Sequence, residues 1–269
     1  SVSDIRNKSI VHTIPMDHKV DGNKIQGNII GVRGNKLEVK TLFITFPLQC
    51  MNVLKKTLEG AEIRITDIVA GPIAESIPLL TKKQKVAGVA LINIGQAVTS
   101  LLVYEKNVPL LVSTIPVGGD DITKDIALGM KVTLEEAEEI KCGRADYAYS
   151  KRKVEEIIEA RLEDLCLKIT KELSRIQRSE LLPAGIIVCG ASSQVPRLEF
   201  VFRNELRLPI KIITNELVKI TGDTLRDGSW ARSYGLTFLA PSDTEKDVFK
   251  ELVTSIFTRV KKVFSQFLP

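Results

Sequence analysis

With 269 residues, 44% of them hydrophobic and 26% charged, the chain can build about two domains, each with its own core. A net charge of +5, with Lys and Arg interleaved among Asp and Glu, leaves no basic stripe and argues against nucleic acid as a partner. No apolar run reaches the roughly 18 residues of a spanning helix, no signal sequence opens the chain, and Cys50, Cys142, Cys166 and Cys189 show no CxxC spacing. These features predict a cytoplasmic protein with reduced, packed thiols and no metal site.

The chain opens without Met and in mid-pattern, which predicts that further residues precede it. Residues 10–14 and 36–46 alternate around Asp21-Gly22 and the Gly31/Gly34 pair, as antiparallel strands of a small α+β unit do. Met51, Val53, Leu54 and Leu58 predict a helix over residues 50–59, closed by Gly60. A strand over 63–70 and a short helix over 72–80 follow.

From residue 86 the pattern changes. Residues 86–95, 98–104 and 108–115 are apolar without alternation, which predicts central strands buried on both faces. The first two are joined by a tight hairpin around Gly95. In nucleotide-binding folds such a turn is glycine-rich and opens with Asp, so that backbone N–H groups and a metal-linked carboxylate hold phosphates. Here Asn93, Gln96 and Ala97 stand where that chemistry wants Asp, Gly and Gly.

Gly118-Gly119-Asp120-Asp121 then leads into a helix over 122–130, and Thr133 with Glu136 forms a capping box. The longest helix, 151–176, carries Val154, Ile157, Ile158, Leu162, Leu165, Ile169 and Leu173 on one face, with Arg161, Lys168 and Lys171 off it. A buried strand over 185–190 runs into Ala191-Ser192-Ser193, followed by a helix over 197–206, a strand over 209–214 and a helix over 229–239.

After a polar linker, 241–247, residues 248–269 place Phe249, Leu252, Val253, Ile256, Phe257, Val260, Val263, Phe264 and Phe267 on one stripe, with Lys250, Arg259, Lys261 and Lys262 off it. Such a basic, Phe-rich amphipathic segment suits a helix lying in a membrane surface. Each buried Phe, Leu or Val contributes up to about 1.5–3 kcal/mol and each nearby Lys or Arg about 1 kcal/mol on an anionic leaflet.

Four blocks resemble, in order, the FtsA family of actin-like cell-division proteins, within the actin, sugar-kinase and chaperone ATPase superfamily. They are residues 115–127 around Gly118-Gly119, residues 135–141 with a Glu-x-x-Lys, residues 156–163, and residues 182–196. The resemblance implies an α/β chain holding part of the actin-like ATPase fold: a mixed-sheet lobe, a small α+β N-terminal subdomain, a helical insert and a C-terminal amphipathic helix. It divides the chain into 1–65, the second half of the family's own subdomain; 66–85, a return to the first actin-like lobe; 86–126 with 183–240, the second lobe; and 127–182, the helical insert. The family's first phosphate loop has no counterpart.

Carried over by residue, the resemblance assigns Gly95 and Thr99 to the second phosphate hairpin and Gly118 and Gly119 to the next contact. Glu138 and Lys141 fall to the ribose, and Gly190 and Ser192 to the adenosine turn. It implies ATP with Mg2+ as ligand and no catalytic residue here. Because Asn93 lacks a carboxylate and Gln96, Ala97 and Ala191 add Cβ atoms, binding is expected to be weak and hydrolysis slight, with Asn93→Asp and Gln96→Gly strengthening it.

The implied role is to tether FtsZ filaments, by their C-terminal peptide, to the cytoplasmic face of the bacterial inner membrane at the division septum. Self-association would run through the N-terminal subdomain. Two alternatives share the scaffold: a type IV pilus assembly protein like PilM, and a small-molecule kinase. The kinase would need a carboxylate at position 93.

Overall fold

An Asp21-Gly22 turn organises the first of two units into which the chain divides, residues 1–74 with 236–269, the second being 75–235. The computed structural model describes residues 7–25, 31–145, 148–213 and 228–239, so the linker and the amphipathic segment 248–269 lie outside the described residues. In the first unit β1 (Lys8–Val20) and β2 (Asn23–Ile25) pair antiparallel across this two-residue loop. Both loop residues have positive φ, 50° and 83°, the backbone that a right-twisted hairpin requires and that Asp and Gly tolerate.

The Asp21 carboxylate accepts from the N–H of Asn35 at 3.0 Å and of Lys36 at 2.7 Å, fastening the start of β3 (Leu37–Pro47). β3 pairs antiparallel with β1, giving the order β2-β1-β3. Two register shifts interrupt this ladder, one beside Pro15, which has no N–H to offer it. Ile14, Ile44, Met51 on α1 (Leu48–Gly60) and Ala74 are the buried apolar residues here among those described. Residues 63–70, predicted as a strand, form none. The N–H of Ala70 instead donates to His12 Nε2 at 3.0 Å, and burial holds that imidazole below its ordinary pKa against the pull of Asp67.

α2 (Gly71–Leu79) spans the change of unit. α3 (Lys82–Ala87) begins at a capping box between Thr81 and Gln84 and ends at Gly88, whose φ of 111° turns the corner. The strand predicted from residue 86 therefore starts three residues later. β4 (Val89–Ile94), β5 (Thr99–Glu105) and β6 (Val108–Ile115) form an antiparallel meander, and β7 (Ile186–Cys189) and β8 (Ile210–Ile212) extend it in parallel, in the order β6-β5-β4-β7-β8. β4, β5 and β7 are buried on both faces, as their unalternating sequences predict, whereas β6 lies at the edge and is only half-buried.

One face of this sheet carries α4 (Gly119–Met130), α6 (Lys151–Arg175) and α7 (Leu198–Leu206), with Ile92, Leu101, Ile122, Ile158, Leu162 and Phe202 in a shared core. α5 (Leu134–Lys141) starts at the predicted box of Thr133 and Glu136. The helix predicted over 229–239 is a 3-10 turn, Gly228–Trp230, followed by α8 (Ala231–Thr237). On the sheet's other face Asn93 and Tyr104 meet α2, through Glu75 and Ser76.

Lys85 Nζ donates to Ser76 Oγ at 3.3 Å and stands 5.0 Å from the centre of the Tyr104 ring. Burial pulls its ammonium down to about 8 from the ordinary 10.5. Between these values the unfolded chain holds the extra proton, so stability rises with pH across that window and the burial cost stands in full below pH 8. Urea midpoints taken from pH 7.5 to 10.5 should show this gain, on the order of 2 kcal/mol, and Lys85→Met should abolish it. Leu162, with no exposed surface, should cost about 2–5 kcal/mol as Leu162→Ala in the same assay.

Candidate functional site

The hairpin between β4 and β5 closes with Gly95 N–H on Val98 O at 3.0 Å, and its tip is docked onto the start of α4. Gly119 N–H donates to Gly95 O at 3.0 Å and Asp120 N–H to Gln96 O at 2.8 Å. Gly118 N–H is taken by Asp121 Oδ2 at 2.9 Å. The contact is close because these positions are glycine. A Cβ on Gly118 would stand 2.3 Å from Gln96 O, and one on Gly119 2.2 Å from Ser192 Oγ. Asp120 and Asp121 sit in the first turn of α4, where they counter the positive end of the helix dipole.

Thr99, fully buried, donates its hydroxyl to Val117 O at 2.8 Å. Ser192 Oγ, on the 3-10 turn Ala191–Gln194, donates to Gly95 O at 3.1 Å. Gly190 precedes that turn with φ 101°, and a Cβ there would meet Asn93 Oδ1 and Ile94 O, both at 2.4 Å. Its lack of a side chain therefore serves the packing of β7 on β4.

Lys141 reaches the same place from the last turn of α5. Its buried ammonium meets three acceptors: Glu138 Oε2 at 2.6 Å, Thr123 Oγ1 at 2.9 Å and Gly119 O at 3.3 Å. Thr123 Oγ1 also lies 2.6 Å from Glu138 Oε2. Partial burial pushes the Glu138 carboxyl up, but the hydrogen bonds from Lys141 and Thr123 outweigh it and hold the group below the usual range. The structure thus brings Gly95, Thr99, Gly118, Gly119, Glu138, Lys141, Gly190 and Ser192 together at one end of the sheet. The nine residues expected to face a membrane, Phe249, Leu252, Val253, Ile256, Phe257, Val260, Val263, Phe264 and Phe267, lie outside the described residues.

Sequence reasoning missed Glu75. This carboxylate, on α2, has no exposed surface. Its Oε1 accepts from Asn93 Nδ2 at 2.7 Å and from Arg232 Nε of α8 at 2.7 Å, while Oε2 is buried without a hydrogen-bond partner among the described residues. One signal was available: Glu75 is the sole charge in residues 71–80, a run that is apolar apart from Ser76. Its presence also bears on the expected gain from Asn93→Asp with Gln96→Gly, since an aspartate at 93 would set two carboxylates against each other.

These residues fit a polyphosphate with Mg2+ poorly. The N–H groups of Gly118, Gly119 and Asp120 already have acceptors within the chain, the helix terminus already faces its own carboxylates, and Lys141 is engaged on three sides. Asn93 gives its N–H bond to a buried carboxylate, and its neutral amide brings no charge for a metal.

The profile described as "Cell division protein FtsA" matches residues 90–235. The Cell division protein FtsA of Pseudomonas aeruginosa is 24% identical over 252 residues, 86% of this chain and 60% of its own length. That of Bacillus subtilis is 28% identical over 249 residues, 84% and 55%. The chain thus spans little more than half the length of these curated relatives. Among solved structures, the PilM-PilN type IV pilus biogenesis complex aligns with a TM-score of 0.67 at 18% identity, covering 87% of this chain and 67% of that one. MreB5 of Spiroplasma citri bound to ADP aligns with a TM-score of 0.56 at 14% identity, covering 76% and 67%. The sheet, its helices and their order are those of the actin-like ATPase fold, and the chain belongs to the FtsA cell-division family.

Proposed function

We propose that this chain acts in a division scaffold that links FtsZ filaments to the cytoplasmic face of the bacterial inner membrane at the septum. The observation that carries this reading is the family match over residues 90–235, which includes the eight residues from Gly95 to Ser192 that meet at the end of the sheet. Residues 248–269 would lie in the membrane surface, their Phe-rich stripe immersed and Lys250, Arg259, Lys261 and Lys262 on anionic headgroups. No helix among the described residues is long and apolar enough to cross a membrane, which suits a peripheral attachment.

The C-terminal peptide of FtsZ would dock on the helical region, residues 127–182, and copies of the chain would associate through residues 1–65. On α6, Arg161 is engaged with Asp125 at 2.6 Å and Lys168 with Asp164, so neither is a free cation for a partner. ATP is the ligand that the family resemblance implies, bound weakly and with little or no turnover. The role is mechanical coupling. A small-molecule kinase is disfavoured, because Asn93 is an amide held on Glu75 and not a carboxylate.

A pilus-assembly scaffold is the second reading, supported by the alignment to the PilM-PilN complex at a TM-score of 0.67. Two measurements separate them. Vesicles with anionic lipid should pellet the full chain, and Phe257→Glu with Phe264→Glu should release it; pelleting that does not change contradicts the membrane helix. A peptide of the FtsZ C-terminus should bind in fluorescence anisotropy, whereas binding of a PilN N-terminal peptide alone would favour the pilus reading.

A further inference from the structure

A carboxylate with no exposed surface is costly unless donors converge on it, and in this chain the donors come from two separate elements. Glu75 of α2 receives Asn93 of β4 and Arg232 of α8, both at 2.7 Å. Asn93 lies two residues before Gly95, whose carbonyl takes the Gly119 N–H and the Ser192 hydroxyl. The brace and the closed hairpin are therefore consecutive parts of one strand.

We infer that the Glu75–Asn93–Arg232 cluster is an internal brace that replaces nucleotide in holding this family's phosphate clamp shut, so that the chain keeps its clamp closed without ATP. The inference rests on reading these residues as the family's clamp, and it narrows the proposed scaffold to one whose conformation ATP does not govern. Three features converge on it. The N–H groups of Gly95, Gly118, Gly119 and Asp120 are bonded inside the chain. The space beside Gly118 and Gly119 is filled by Gln96 O and Ser192 Oγ. Two of the four residues that read as defects make structural bonds through their side chains: Gln96 Nε2 donates to Asp120 Oδ2 at 3.3 Å, and Asn93 Nδ2 donates to Glu75 Oε1 at 2.7 Å.

Among the described residues, the groups near position 93 that carry or can take charge are Glu75 on α2, Arg232 on α8 and the Cys189 thiol of β7, whose pKa is raised, chiefly by burial and further by Glu75. An aspartate at 93 would face Glu75, and one of the two would hold a proton in the fold. Its folded pKa then exceeds its unfolded one, so the damage is largest at high pH and eases as pH falls. An alanine at 93 leaves a loss that does not follow this course. Exchanging the groups, as Glu75→Gln with Asn93→Asp, puts amide against carboxylate again.

The test is thermal unfolding of the full chain, with and without millimolar Mg-ATP, at pH 5.5 and 8. The unaltered chain should show no Tm shift beyond about 1 °C with Mg-ATP, which excludes binding much tighter than millimolar. Asn93→Asp should lower Tm at pH 8 by about 5 °C or more, by clearly less at pH 5.5, and the exchanged pair should recover most of the loss. A saturable rise of several degrees with Mg-ATP in the unaltered chain overturns the inference. So does an Asn93→Asp deficit no greater than that of Asn93→Ala and flat with pH. Should Asn93→Asp not fold, the nucleotide titration and the exchanged pair still decide it. Vesicle pelleting and FtsZ-peptide binding are read in parallel: their loss with the Tm pattern intact removes the division reading alone, and the reverse removes the brace alone.

Discussion

The rest of the structure turns on one buried charge. Glu75 sits with no exposed surface between the five-stranded sheet and α8, and a carboxylate in that position requires partners that are equally fixed. Asn93 and Arg232 both donate to its Oε1, while Oε2 has no partner among the described residues, and each donor carries a consequence beyond itself. Asn93 ties the end of β4 to α2, and Arg232, 157 residues away in sequence, ties α8 to the same point. Gly190 has no side chain because Asn93 Oδ1 and Ile94 O occupy the space where one would stand.

From that anchor the site follows by close packing. The hairpin tip sits on Gly118 and Gly119, its carbonyls take the first N–H groups of α4, and Lys141 closes the far side against Glu138 and Thr123. Each of these groups is of a type that could serve a nucleotide, and each is satisfied within the chain. The family's architecture is kept while the first N–H groups of α4 and the Lys141 ammonium are taken up within the chain.

Much of the fold was legible in sequence because burial leaves a pattern. The unalternating runs of β4, β5 and β7 announced strands covered on both faces, the 3- and 4-residue spacing of Val154 to Leu173 announced the inner face of α6, and Asp21-Gly22 announced a hairpin with both residues at positive φ. Residues 63–70 misled because an alternating run need not find a strand to pair with, and here Ala70 bonds a histidine side chain instead. The eight residues that the resemblance assigns to a ligand were picked out by their order along the chain, and the structure places them side by side. What they do to one another was not legible, since no local pattern tells that Gly119 N–H is taken by Gly95 O or that Asn93 answers a carboxylate 18 positions earlier. Glu75 could have been suspected from a lone charge in an apolar helix, but its partner Arg232 could not.

Amide hydrogen exchange on the full chain tests the central claim most directly, because it reads the N–H groups in question one by one. The account predicts that Gly119 and Asp120, bonded to Gly95 O and Gln96 O, are protected without nucleotide and that saturating Mg-ATP leaves their rates unchanged. Fast exchange at these two amides that becomes slow when Mg-ATP is added would contradict it.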